Sequence, residues 1–138
     1  MTPKYMLDTD MCVYIARGKH QQIEVRLAQI AFGDISVSAA TYGELAYGAS
    51  KSKLSHLAQQ SLSVLIANTQ VLPIDHQVAA SYGKLRADLE RKGRIIGGND
   101  LWIGAHALSL GLILVTNNTR EFSRVPGLKV ENWLQDAK

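Results

Sequence analysis

Short apolar runs of strand length recur along the chain, with helix-period segments between them. Tyr5-Met6-Leu7, Ile35-Ser36-Val37, Val71-Leu72-Pro73-Ile74, Leu112 to Val115 and Leu128-Lys129-Val130 each read as a brief buried strand. Ile23, Leu27 and Ile30 recur at helical spacing, and a small-residue helix is expected from Ala39 to Ser50. Leu54, Leu57, Ala58, Leu62 and Leu65 mark a further helix. Asp75 is placed to cap the next one, whose stripe is Val78, Tyr82, Leu85 and Leu89 and which Gly93 ends. Leu101 to Leu110 gives another helix, closed by Gly111. Strands alternating with helices form a parallel sheet covered on both faces. The fold class expected is α/β, a three-layer sandwich with a central, mostly parallel sheet. Pro73 cannot donate to a ladder and places its strand at an edge or a strand end.

Composition narrows the class further. A chain of 138 residues suits one domain, expected over residues 1–138, and 46% apolar with 20% charged residues is ordinary for a globular core. No window approaches the roughly 18 unbroken apolar residues of a membrane helix, and no signal-peptide pattern precedes Tyr5. A cytoplasmic protein without membrane association is expected. Cys12 stands alone, which excludes an internal disulfide and a cysteine-based zinc site; a small core residue is the plain reading. The net charge of +3 is mild. Between Lys84 and Arg94, five cations stand against Asp88 and Glu90, either as a solvated helix face or as a phosphate contact.

In parallel sheets function gathers outside the C-terminal strand ends. There the chain places acids from separate segments. Asp8 directly follows the first strand, with Asp10 two positions on. Glu44 lies on the helix after the second strand, and no cation stands at its i±3 or i±4 positions. Asp100 opens the helix before the Leu112 strand, and the polar segment Thr116-Asn117-Asn118-Thr119-Arg120-Glu121-Phe122 follows that strand. Taken singly, Asn99 or Asp100 could cap a helix, Glu44 could be solvated, and the asparagines could form turns. Asp8 is harder to dismiss, because a charge at the end of a buried strand needs compensation. Two carboxylates about 5 Å apart repel by roughly 3 kcal/mol at an effective dielectric of 20. A hard divalent cation with oxygen ligands relieves such a cluster, and Mg²⁺ or Mn²⁺ is the usual choice. The leading chemistry is metal-assisted phosphodiester hydrolysis.

The segments Tyr5 to Asp10, Ser38 to Leu45, Asn99 to Ala107 and Leu114 to Phe122, closed by Val125 to Trp133, resemble the PIN-domain ribonucleases, and more closely the VapC toxins of bacterial toxin–antitoxin modules. The likeness runs from about Lys4 to Trp133 with the motifs in order. It implies an α/β sandwich, cleavage of RNA dependent on Mg²⁺ or Mn²⁺, homodimerisation, and inhibition by a VapB-type antitoxin that also mediates contact with operator DNA. It implies Asp8, Glu44 and Asp100 as catalytic and metal-ligating acids, with Glu121 as the fourth. Close relatives act on tRNA, including the anticodon loop of initiator tRNA. Two departures stand out. Many PIN domains carry an acid where Asn118 stands, so Glu121, an amide or water completes the set, and Asp10 sits where Asn or Ser is common.

Two other readings compete. Asp8-Thr9-Asp10 is also similar to the nucleophile motif of haloacid-dehalogenase-type phosphatases, but no acidic pair follows Thr116 to hold their metal. A non-catalytic nucleic-acid-binding module would keep the fold without carboxylate-dependent metal affinity. Phosphate-cradling glycine loops, a His-Glu-x-x-His pair and a Gly-x-Ser-x-Gly elbow are all missing. His106 reads as a packing or polar-surface residue, and Trp102 and Trp133 as core or subunit-contact residues ahead of base-stacking ones.

Overall fold

The computed structural model describes residues 3–134. Five strands form one sheet: β1 (Tyr5–Leu7), β2 (Ile35–Ser38), β3 (Gln70–Leu72), β4 (Ile113–Val115) and β5 (Val130–Glu131). All pair in parallel, in the order β3-β2-β1-β4-β5. Helices α1 (Thr9–Arg17), α2 (Gln21–Ala28), α3 (Ala39–Lys51), α4 (Ser55–Ala67), α5 (His76–Arg91), α6 (Gly98–Leu110) and α7 (Thr119–Phe122) connect and cover it.

The pleat divides the apolar residues between two cores. Met6 and its partner Leu114 face α5 and α6, packing with Leu85, Leu89, Ile103, Ala107 and Phe122. Their neighbours along the strands, Tyr5, Leu7 and Val115, and Val37 beside Leu7 on β2, face the other way, onto Met11, Cys12, Ile23 and Trp133. Central strands buried on both faces are therefore continuous apolar runs, as a helix-covered parallel sheet requires. Trp133 meets Tyr5 edge-on, Trp102 stacks on Tyr82 with ring centroids 3.7 Å apart, and Cys12 is fully buried. Most of the cations of α5 are engaged on their own helix, with Arg86 on Glu90 at 3.1 Å and Arg91 on Asp88 at 3.5 Å, and Lys92 just past its end also reaches Asp88 at 3.2 Å.

β3 is an edge strand and Pro73 directly follows it, as its missing donor requires. Asp75 caps α5, its Oδ1 accepting from Val78 N at 3.0 Å. Elsewhere the boundaries move. Helix α1 has no counterpart in the periodicity reading, because only Met11 and Cys12 of its residues are buried and the stripe is too short to register. Ile30 lies past the end of α2, β5 begins only at Val130, and the polar segment after β4 holds the short helix α7. Helix α6 starts at Gly98 with Gly97 as its N-cap, so neither Asn99 nor Asp100 caps it; Asp100 sits inside the first turn.

Candidate active site

The strand order reverses between β1 and β4. From β1 the chain steps outward to β2 and β3, then returns to the opposite side of β1 for β4. At such a switch point the connections diverge and leave a crevice beyond the C-terminal strand ends. Asp8 and Thr116 are the first residues past β1 and β4, in the register that pairs Leu7 with Val115. They meet there. Thr116 Oγ1 donates to Asp8 Oδ2 at 2.5 Å, and Asp8 Oδ1 accepts from Met11 N at 2.8 Å, which makes Asp8 the N-cap of α1. Thr116 Oγ1 also accepts from Asn118 N at 2.9 Å, so one hydroxyl ties the end of β4 to both the acid and the following turn.

The remaining acids arrive on helices. Glu44, on the second turn of α3, accepts a hydrogen bond from Thr9 Oγ1 at 2.6 Å. Asp100 projects from the first turn of α6. Glu121, on α7, accepts from Gly97 N at 2.7 Å and from Asn118 Nδ2 at 3.2 Å, which anchors α7 to the start of α6. Asp10 is exposed in the first turn of α1.

These carboxyls sense one another. Burial pushes Asp8, only 3% exposed, up to about pKa 6, against the pull of its bonds from Thr116 and Met11, with Asp10 and Glu44 adding repulsion. Asp100 is pushed up to about 7, first by burial, then by the charges of Glu121, Asp8 and Glu44 and by a shared hydrogen bond with Glu121. Glu121 moves the other way. Its bond from Gly97 N holds it below the usual carboxylate range, so within this pair Glu121 keeps the charge and Asp100 the proton. None of Asp8, Glu44, Asp100 and Glu121 forms an ion pair with a lysine or arginine among the described residues. Arg124 is near enough to favour ionised Glu121, and it spends its Nη1 on the Ile95 carbonyl.

The structure thus places Asp8, Asp100 and Glu44 within electrostatic reach of one another, with Glu121 beside Asp100. Among the described residues, no three His, Cys, Asp or Glu side chains are closed into a ready-made metal cage. Asp8 and Glu44 are instead turned to the hydroxyls of Thr116 and Thr9. The donor set fits a hard divalent cation. It consists of carboxylate oxygens, and Asp8 and Asp100 are raised first by burial and then by neighbouring carboxylates, both of which a bound cation would offset. Thr9 and Thr116 were legible only as parts of motifs, and nothing in their local sequence marks them as partners of acids. The signal was positional: a hydroxyl residue just past β4 stands opposite the acid just past β1 once the two strands are paired. His106 is a wholly buried side chain, bonded to Ser38 Oγ at 2.8 Å.

No helix among the described residues is long and apolar enough to cross a membrane. Residues 5–128 match the PIN domain. The chain is 40% identical over 130 residues to "Ribonuclease VapC2" of Rickettsia felis, covering 94% of this chain and 97% of that protein. It is also 40% identical over 130 residues to the "tRNA(fMet)-specific endonuclease VapC" of Shigella flexneri, covering 94% and 98% respectively. A crystal structure of DNA-bound VapBC from Salmonella typhimurium superposes with a TM-score of 0.91 at 39% identity, over 95% of this chain and 98% of that one. Strand order, the acids at the switch point and similarity along nearly the whole length agree, and the chain belongs to the PIN-domain family, among the VapC ribonucleases.

Proposed function

We propose that this protein is the toxin of a type II toxin–antitoxin pair and acts as a metal-dependent ribonuclease, with the acids at the switch point as its catalytic centre. The observation that carries the reading is that Asp8, Glu44 and Glu121, each from a different element, lie within electrostatic reach of Asp100 beyond the C-terminal strand ends, with no lysine or arginine paired to any of the four among the described residues. Nucleases of this family use divalent metal ions, and Mg²⁺ or Mn²⁺ is the ion proposed here. Asp8, Asp100, Glu44 and Glu121 are the residues that would hold it. When bound, such an ion lowers the pKa of a coordinated water and stabilises charge on a phosphodiester.

The chain's own residues prepare that chemistry. Thr116 and Met11 N hold the Asp8 carboxylate in one orientation, and Thr9 does the same for Glu44. Gly97 N and Asn118 keep Glu121 ionised beside Asp100, which is the member of the pair that takes up a proton first as pH falls. Preset orientation of the ligands limits reorganisation when the substrate phosphate arrives. Asp10, exposed at the rim, contributes charge to the centre.

The substrate proposed is initiator tRNA, cut in its anticodon loop, supported by 40% identity to an endonuclease named as specific for tRNA(fMet). The partners proposed are a VapB-type antitoxin, a second copy of the chain, and operator DNA reached through the antitoxin, by likeness to the DNA-bound VapBC assembly. The whole of residues 1–138 is read as one PIN domain, working in the cytoplasm. Mapping RNA 5′ ends after induced expression tests this directly. Wild type should generate a new end within initiator tRNA and arrest growth, co-expressed antitoxin should relieve both, and Asp8→Asn should do neither. Identical cleavage by Asp8→Asn would overturn the assignment of the centre.

A further inference from the structure

The His106 imidazole is fully buried halfway along α6, beside Ile103, Ala105 and Ala107. Nδ1 hydrogen-bonds with Ser38 Oγ at 2.8 Å, while Nε2 has no partner among the described residues. A buried polar atom without a partner lowers stability relative to an apolar side chain of similar size. Packing alone therefore does not account for an imidazole here. What the imidazole adds is a directed bond across the fold.

That bond joins the two helices that carry two of the acids. Ser38 ends β2 and is the N-cap of α3, its Oγ accepting from Ala40 N at 3.1 Å. Glu44 lies six residues beyond Ser38 on α3, and Asp100 lies six residues before His106 on α6. At 1.5 Å of rise per residue, each carboxylate sits about 9 Å along a rigid helix from the bond. Any slip of α3 against α6 at this contact is carried directly to the spacing of the two acids.

We propose that His106 is a positioning residue of the acidic centre: through Ser38 it sets the separation of Glu44 from Asp100, and with it the affinity for a divalent cation. The inference rests on the four acids being the metal ligands. A group bonded directly to a metal ligand is worth roughly 10- to 100-fold in metal affinity, and His106, which acts one step further out through Ser38 and the helices, is expected at the lower end of that range.

The test is Mn²⁺ binding by calorimetry, beside thermal unfolding in EDTA, for wild type, His106→Leu, His106→Asn, Ser38→Ala, the His106→Leu/Ser38→Ala double variant and Asp8→Asn. The Asn side-chain amide reaches the position of Nδ1 and can keep the bond. His106→Leu and Ser38→Ala should each weaken Mn²⁺ binding roughly tenfold or more. The double variant should bind no more weakly than either single one, and His106→Asn should retain most of the affinity. In EDTA, His106→Leu should unfold no earlier than wild type. Unchanged Mn²⁺ affinity in His106→Leu and Ser38→Ala overturns the proposal while leaving the metal centre intact, and Ser38→Ala decides alone if His106→Leu does not fold. Wild type that binds Mn²⁺ no better than Asp8→Asn overturns the reading of the centre, and this inference with it.

Discussion

Asp8→Asn should make the metal-free protein more stable while abolishing its activity. Burial holds the Asp8 carboxyl at about pKa 6 against an ordinary 3.8. At about 1.4 kcal/mol per pKa unit, keeping the ionised form in the fold costs about 3 kcal/mol above pH 6. The sign follows from proton uptake. Between 3.8 and about 6 the folded protein binds more protons at this site than the unfolded chain, so the wild type loses stability as pH rises through that window. Asparagine carries no charge and escapes the penalty. It also has one acceptor oxygen where Asp8 uses two, on Met11 N and on Thr116, so one hydrogen bond is lost, worth about 1 kcal/mol. The net gain is about 2 kcal/mol near pH 8, or roughly 6–8 °C in Tm for a chain of this size. It should vanish, then reverse, at about pH 4–5, where the folded carboxyl is already largely protonated while the unfolded chain is still mostly ionised, and the remaining penalty has fallen to about the 1 kcal/mol of the lost bond. Saturating Mn²⁺ should reverse the order at about pH 8, because ligand at 100 times its Kd adds about 2.7 kcal/mol to a wild type that binds it. The assay is thermal unfolding of both proteins across pH, in EDTA and in Mn²⁺. A variant that unfolds earlier than wild type in EDTA near pH 8 would refute the reasoning and make Asp8 a structural cap.

Thr116→Val removes the hydroxyl that stabilises ionised Asp8, so its stability deficit in EDTA should be larger near pH 8 than near pH 5, by about 1–2 kcal/mol, read by thermal unfolding; an equal deficit at both would show that the bond does not favour the charged form. Glu121→Gln can keep the bond from Gly97 N but removes the repulsion on Asp100, whose pKa should fall from about 7. NMR titration of the Asp100 carboxyl checks this, and RNA cleavage in Mn²⁺ should be reduced without being abolished, with Asn118 or water filling the place. Arg94 has no ion pair among the described residues, whereas Arg86 is held by Glu90 and Tyr82. Arg94→Gln should reduce the salt dependence of RNA binding by about 0.7 in log–log slope if that arginine touches phosphate; an unchanged slope makes it a solvated residue.

The alternation of apolar runs and helical stripes was enough to determine a helix-covered parallel sheet, because burial on both faces leaves its mark in the strand residues themselves. Tyr5-Met6-Leu7 and Leu112 to Val115 show this directly, and Pro73 placed its strand at the edge for a reason as local as a missing donor. The acids Asp8, Glu44 and Asp100 were equally legible, since each follows a strand or occupies a helix without a cation in reach. Helix α1 was not, because its burial is confined to Met11 and Cys12 and its start depends on Asp8 capping Met11 N. What only the tertiary structure decided is which groups face which. The pairing of Asp8 with Thr116 spans 108 residues and the bond of His106 to Ser38 spans 68. Both depend on strand order and helix packing, which no local pattern encodes. The division of charge within the Asp100–Glu121 pair has the same origin. It is set by a backbone N–H at Gly97, oriented by the first turn of α6 and meeting Glu121 from a different helix, so the proton's place is a property of the packing of the two helices.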